Sequence, residues 1–202
     1  MNEFVHRFIP PSTDETRTLL LLHGTGGDEN DLIPLGQTLL PGAGILSVRG
    51  RILEGGMPRF FRRFAEGLFD LDNLREEAAA LELFVRNSAR HYDVHPERFV
   101  GVGFSNGANM AHSLMGLYPD SLSEAVLIRA MTTMPDLEYS GLTRKRVFLS
   151  SGKSDPILSV ADAENLAEQL RKGGADVTHL WLDAGHNLTR GELSEIGDWL
   201  KQ

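Results

Sequence analysis

The chain contains no cysteine. That absence excludes a disulfide scaffold, a thiolate metal site and a cysteine nucleophile together. Positive charge is also short: 20 Lys and Arg stand against 28 Asp and Glu, for a net charge of -8. Nucleic acids and anionic membranes attract proteins with a basic field, so neither is an expected partner. Long hydrophobic runs are missing too. The longest aliphatic run covers residues 19–22, far short of the ~20 residues that span a bilayer, and stable membrane insertion is not expected. Residues 1–15 offer neither a basic start nor an apolar stretch of signal-peptide length, which leaves the cytoplasm as the expected compartment. No repeat, low-complexity stretch or Pro/Gly-rich linker divides the 202 residues, so a single domain over 1–202 is expected.

What is present alternates. Short apolar runs at 4–9, 18–22, 44–48, 98–104, 124–128, 146–150 and 177–182 read as strands. Between them, helix-period stretches occupy 31–40, 72–92, 107–118, 160–172 and 189–201. Asn30 or Asp31, Asp72 and Ser159 are candidate caps for three of these helices, and Gly173-Gly174 a stop for one. The pattern predicts an α/β fold, a mostly parallel central sheet with helices on both faces.

One stretch, 48–70, fits neither period. It concentrates Arg49, Arg51, Arg59, Arg62 and Arg63 in an otherwise acidic chain and interleaves Phe60, Phe61, Phe64 and Phe69. At that length an unassigned segment is either functional or hides an element.

The strongest chemical signal is Gly103-Phe104-Ser105-Asn106-Gly107, placed directly after one predicted strand and before a helix. G-x-S-x-G in that context reads as a nucleophile elbow. The turn forces the serine into strained angles, and glycines flank it because a Cβ would strike neighbouring backbone. The bland alternative is an ordinary turn with a capping serine. Dinucleotide binding would need glycine where Asn106 stands and a ribose-binding acid at the end of the next strand, and neither is there.

A serine hydroxyl needs a base and a group to orient that base. In such a fold they follow the serine in the order acid, then histidine, each after a later strand. Asp155 follows the strand at 146–150 and His186 the strand at 177–182. Asp162 and Asp183 remain rivals for the acid. His6, His91, His95, His112 and His179 precede the serine or fall inside a helix or strand. Two backbone N–H groups should form an oxyanion hole: that of Asn106, and that of Thr25 in the loop His23-Gly24-Thr25-Gly26-Gly27. His23 reads as a structural residue of that loop. No H-x-x-x-H or H-E-x-x-H is present and the histidines are scattered, so no metal site is expected.

LLLLHGTGGDENDL, GVGFSNGANMA, SGKSDPI and DAGHNLT resemble the phospholipase/carboxylesterase family of small α/β-hydrolases, which includes acyl-protein thioesterases and lysophospholipases. LSVRGRILEGGMPRFFRRFAEGLFD resembles a bacterial branch described as carboxylesterases. The resemblance implies an α/β-hydrolase fold without a large cap domain and no cofactor. It carries nucleophile, acid and base onto Ser105, Asp155 and His186, and the oxyanion donors onto Thr25 and Asn106. A thiol nucleophile of the kind used by the related dienelactone hydrolases is excluded by the missing cysteine.

The expected activity is that of a carboxylesterase, cleaving a small-molecule ester through an acyl-enzyme on Ser105. An acyl thioesterase or lysophospholipase is the alternative among enzymes. A non-catalytic hydrolase-fold protein that binds a ligand or partner is the alternative from another class. Phe60, Phe61 and Phe69 read either as part of an acyl or aromatic pocket or as core packing. Arg49 and Arg59 read either as recognition of an anionic substrate group or, with their neighbours, as arginines paired with the chain's acids or placed at a subunit contact such as a homodimer.

Overall fold

The computed structural model describes residues 4–12 and 14–202. Met1, Asn2, Glu3 and Thr13, part of the N-terminal stretch read for an address, lie outside them. In chain order the elements are β1 (His6–Ile9), β2 (Thr18–Leu22), α1 (Ile33–Leu39), β3 (Gly44–Val48), β4 (Ile52–Glu54), β5 (Met57–Arg59), β6 (Arg63–Ala65), β7 (Leu68–Phe69), α2 (Leu71–His91), β8 (Phe99–Phe104), α3 (Asn106–Leu117), β9 (Glu124–Ile128), β10 (Arg146–Gly152), α4 (Val160–Lys172), β11 (Asp176–Leu182) and α5 (Arg190–Leu200).

Seven strands form one sheet in the order β1-β3-β2-β8-β9-β10-β11. Every pairing is parallel except β1 with β3 at the edge. The four leucines of β2 show how both faces are covered. Leu20 and Leu22 pack into a core with Leu74, Leu81 and Val85 of α2 and Met110 and Leu114 of α3. Leu19 and Leu21 point the other way, into a core with Leu39 of α1 and Ile196, Trp199 and Leu200 of α5. A strand buried on both sides needs no polar alternation, and residues 19–22 have none. Each such leucine contributes roughly 1.5–3 kcal/mol of burial.

Helix starts differ from the sequence expectation where a different side chain caps. Asp70, not Asp72, caps α2: it has extended angles, and its Oδ1 accepts the Asn73 N–H at 3.1 Å. Neither Asn30 nor Asp31 caps α1, which begins after Leu32 with no side-chain cap. The Asp31 carboxylate instead accepts the Asp28 N–H. Ser159 caps α4 as expected.

The unassigned stretch 48–70 is two small hairpins. β4 and β5 turn through Gly55-Gly56, both at positive φ, as a two-residue hairpin turn requires. β6 and β7 turn at Glu66-Gly67. Strands of two or three residues are too short to show a period.

Candidate active site

Parallel pairing brings the carboxyl ends of β2, β8, β10 and β11 to one edge of the sheet, where ligands of open α/β sheets bind. Ser105 sits at the end of β8 with φ 51° and ψ -115°, in the left-handed half of conformational space that a side chain rarely adopts. Its N–H is tied to Ile128 O at 2.8 Å and its carbonyl accepts the Asn109 N–H at 2.9 Å. The flanking glycines are steric requirements. A Cβ on Gly103 would lie 2.5 Å from the backbone of Ala108, and one on Gly107 1.9 Å from Leu22 O.

β10 runs two residues beyond the expected end, through Gly152, and Asp155 follows in the next turn. The Asp155 side chain is buried. Its Oδ1 accepts the N–H groups of Ile157 and Leu158 at 2.8 and 3.1 Å, which leaves Oδ2 2.8 Å from His186 Nδ1. His186 Nε2 lies 3.0 Å from Ser105 Oγ. The rival acids point elsewhere. Asp162 accepts the Thr132 N–H, and Asp183 pairs with Lys153 in solvent. The structure thus brings Ser105, His186 and Asp155 into one hydrogen-bonded chain from three separate loops.

The loop after β2 faces this chain. Gly26, at φ 85°, anchors it to Pro58 O of the first hairpin. His23 is buried within it; its Nδ1 lies 2.6 Å from Gly24 O, and its Nε2 accepts the Gly50 N–H at 2.9 Å. That pattern requires the neutral ring with its proton on Nδ1, and burial pushes its pKa down. The Thr25 hydroxyl is occupied, accepting from Arg59 Nη1 at 2.8 Å. The Asn106 N–H opens α3, so it has no acceptor within the helix.

Thr25, Arg59, Phe69, Ser105, Asn106 and His186 line one cleft, whose walls also include Arg63, Glu66, Asn109, Arg129, Met131, Ile157 and Leu158. The cleft encloses only about 30 Å³, well below the volume of typical ligand sites. Phe60 and Phe61 do not line it. They are fully buried in the core, and Phe61 packs edge-on against Phe69. Arg49 also lies outside the cleft, its guanidinium held by Glu29 at 2.5 and 2.8 Å. The remaining arginines of the segment are paired as well: Arg51 with Glu77, Arg59 and Arg63 with Glu54, and Arg62 with Asp70.

Sequence reasoning overlooked Arg129. It follows β9 at φ 57°, and its side chain is completely buried beside the His186 loop. A cation next to the apolar run 124–128 was the available signal.

A parallel sheet covered on both faces, with a serine elbow and a histidine at its carboxyl edge and, among the described residues, no large cap, defines a small α/β hydrolase. Residues 54–195 match the model of the Dienelactone hydrolase family, and the chain belongs to that family. The Bacillus subtilis (strain 168) protein named "Putative hydrolase MhqD" is 41% identical over 91% of this chain and 92% of its own. The crystal structure of the Bacillus cereus carboxylesterase superimposes with a TM-score of 0.96 at 41% identity, over 98% of this chain and 93% of that one. A carboxylesterase from Mesorhizobium loti gives 0.92 at 28% identity, over 98% and 94%. The chain is therefore a hydrolase of the dienelactone hydrolase and carboxylesterase kind. That agrees with the resemblance carried by its motifs.

Proposed function

We propose that the protein is a serine esterase that cleaves small carboxylic esters through an acyl-enzyme. The observation that carries this reading is the unbroken chain from Ser105 Oγ through the His186 ring to Asp155 Oδ2, at 3.0 and 2.8 Å. His186 Nε2 takes the hydroxyl proton as Ser105 Oγ attacks the acyl carbon. Asp155 holds the proton on Nδ1 and stabilises the imidazolium that forms. The N–H groups of Asn106 and Thr25 receive the tetrahedral oxyanion, each donor worth ~3 kcal/mol in such sites. His186 then returns its proton to the leaving alkoxide. Water, deprotonated by the same nitrogen, releases the acid and frees Ser105.

The narrow cleft favours a short acyl group over the long chains of a lysophospholipase or a protein thioesterase. The substrate is a small molecule on this reading, and no step calls for a cofactor. The test is Ser105→Ala, which should retain the fold by circular dichroism yet lose fluorophosphonate labelling and at least about 10⁴-fold of esterase turnover. Retained turnover would overturn the mechanism. A folded wild-type chain that neither labels nor hydrolyses any ester in a panel of acyl lengths would indicate a non-catalytic binder.

A further inference from the structure

Three side chains that the esterase chemistry does not use meet in the core directly behind His186. Arg129, Glu192 and Ser150 are all buried. Arg129 Nη1 donates to Glu192 Oε1 at 2.7 Å and to Ser150 Oγ at 3.1 Å. Its Nη2 donates to Glu192 Oε2 at 3.1 Å, and the Ser150 hydroxyl also donates to Glu192. Arg129 Nη1 also reaches Ser150 O at 3.3 Å, and two further bonds leave this cluster. Arg129 Nε donates to Gly185 O, and Nη2 to Asn187 O, both at 2.9 Å. Gly185 and Asn187 are the residues on either side of His186.

A guanidinium has five N–H donors in a fixed plane, and this arrangement occupies all of them within the protein. No donor remains for a substrate. The planar fork instead fixes two carbonyls relative to one another, and hence the backbone that carries the imidazole. Arg129 reaches them only because it adopts φ 57° at the end of β9, with its N–H bonded to Ser150 O. Such a conformation is unfavourable for a residue with a side chain and persists where surroundings enforce it. Glu192 is anchored in turn by the α5 capping box, in which its Oε2 accepts the Thr189 N–H. The cap of α5, the end of β9 and the histidine loop are thus joined through one buried ion pair. Burying such a pair is a poor way to gain stability, since an apolar trio of equal volume often does as well. What the pair supplies is position.

We infer that Arg129, held by Glu192, is a positioning residue that sets the His186 imidazole at hydrogen-bonding distance from both Ser105 and Asp155. This rests on the esterase reading above. Displacing a reacting group by about 1 Å typically costs ~100-fold in rate. Arg129→Ala is therefore expected to lower kcat about 100-fold, while KM for a small ester changes less than about threefold because ground-state contacts persist. Millimolar ethylguanidinium, entering from the cleft, should restore part of the lost kcat in that variant. Arg129→Lys keeps the charge but not the fork and should remain impaired. Glu192→Gln covers the case in which Arg129→Ala does not fold. Its amide cannot accept from Arg129, Ser150 and Thr189 together, so kcat should fall there too, at unchanged KM. Folded Arg129→Lys and Glu192→Gln with wild-type kcat would overturn the proposal. So would loss of activity that tracks only the unfolded fraction and does not respond to ethylguanidinium. Failure of the esterase reading is separately visible, since Ser105→Ala would then keep wild-type turnover or the wild-type chain itself would hydrolyse no ester.

Discussion

The loops at the carboxyl edge of the sheet and the two hairpins between β3 and α2 border the same cleft, but different forces hold them. The edge loops are placed by the sheet. Each begins where a parallel strand of the sheet ends, and contacts such as Ser105 N–H to Ile128 O or Arg129 N–H to Ser150 O extend the strand pairing. The hairpins have strands of two or three residues and too little apolar surface to stand alone. Side chains dock them. Phe60 and Phe61 sink into the core, the Asn106 side chain accepts the Phe60 N–H, and Arg51 reaches Glu77 on α2. Residues placed by the sheet can be located from order along the chain. Residues placed by docking depend on distant acids whose pairing no local pattern reveals.

The comparison makes its largest prediction at Asp155. Both Asp155 oxygens have fixed tasks: Oδ1 accepts from Ile157 and Leu158, and Oδ2 faces His186 Nδ1. In Asp155→Asn the one remaining oxygen is required by the two backbone N–H groups. The amide nitrogen then falls opposite Nδ1 and forces the proton onto Nε2, where it cannot accept from Ser105. Turnover should drop on the order of 10⁴-fold with the fold retained. A loss under tenfold in steady-state kinetics would mean that the edge loop does not orient the base.

A smaller effect is expected in pH dependence, on the side of the molecule organised by the sheet. His112, on α3, is fully buried, with Nδ1 2.7 Å from the Tyr139 hydroxyl and Nε2 3.0 Å from Met131 O. Burial drives its pKa from 6.5 down to about 4. The folded value lies below the unfolded one, so between those pH values only the unfolded chain binds the proton. Stability is therefore full above about pH 6.5 and falls as the pH drops towards 4, by about 3 kcal/mol from this residue. Denaturant unfolding at stepped pH should show that slope, and His112→Gln should unfold with about one proton less of linkage. An unchanged slope would assign the acid sensitivity to other groups, with His179 the next candidate because burial also lowers it to about 4.

The same contrast explains what the sequence made legible. The strand and helix order was readable because buried parallel strands are continuous apolar runs, as residues 19–22 and 125–128 are. Ser105, Asp155 and His186 were readable because their order and their places after strands are fixed by that topology. Asp162 and Asp183 could not be separated from Asp155 by spacing; only side-chain direction separates them. The hairpins went unassigned although Glu54-Gly55-Gly56-Met57 contained a two-residue turn signal, because the flanking strands are too short to alternate. Substrate recognition and ion pairing could not be separated for the arginine cluster because its partners Glu29 and Glu77 lie 20 and 26 residues away in sequence. The Arg129–Glu192 pair escaped for the same reason at greater separation, although Thr189-x-x-Glu192 is a visible capping box.

Arg49 and Arg59 sharpen the comparison at its small end, because both are hairpin-side arginines with different duties. Arg59 is buried. It holds the Thr25 hydroxyl at 2.8 Å while paired with Glu54 at 3.1 Å, so it fixes the loop that carries the proposed second oxyanion donor. Arg59→Ala should lower kcat/KM roughly tenfold to a hundredfold, and by the same factor on a neutral ester and on a carboxylate-bearing one, because what is lost is the position of a donor. Arg49 is more exposed, and its partners Glu29 and Asp28 lie outside the cleft lining. Arg49→Ala should leave kcat/KM within about twofold on both esters, as exposed ion pairs contribute little. Paired assays of the two variants on the two esters distinguish docking from charge recognition. A selective loss on the carboxylate-bearing ester in Arg59→Ala would make that guanidinium a substrate-binding group. A loss in Arg49→Ala matching that in Arg59→Ala would mean that the Glu29 pair, too, supports the oxyanion loop.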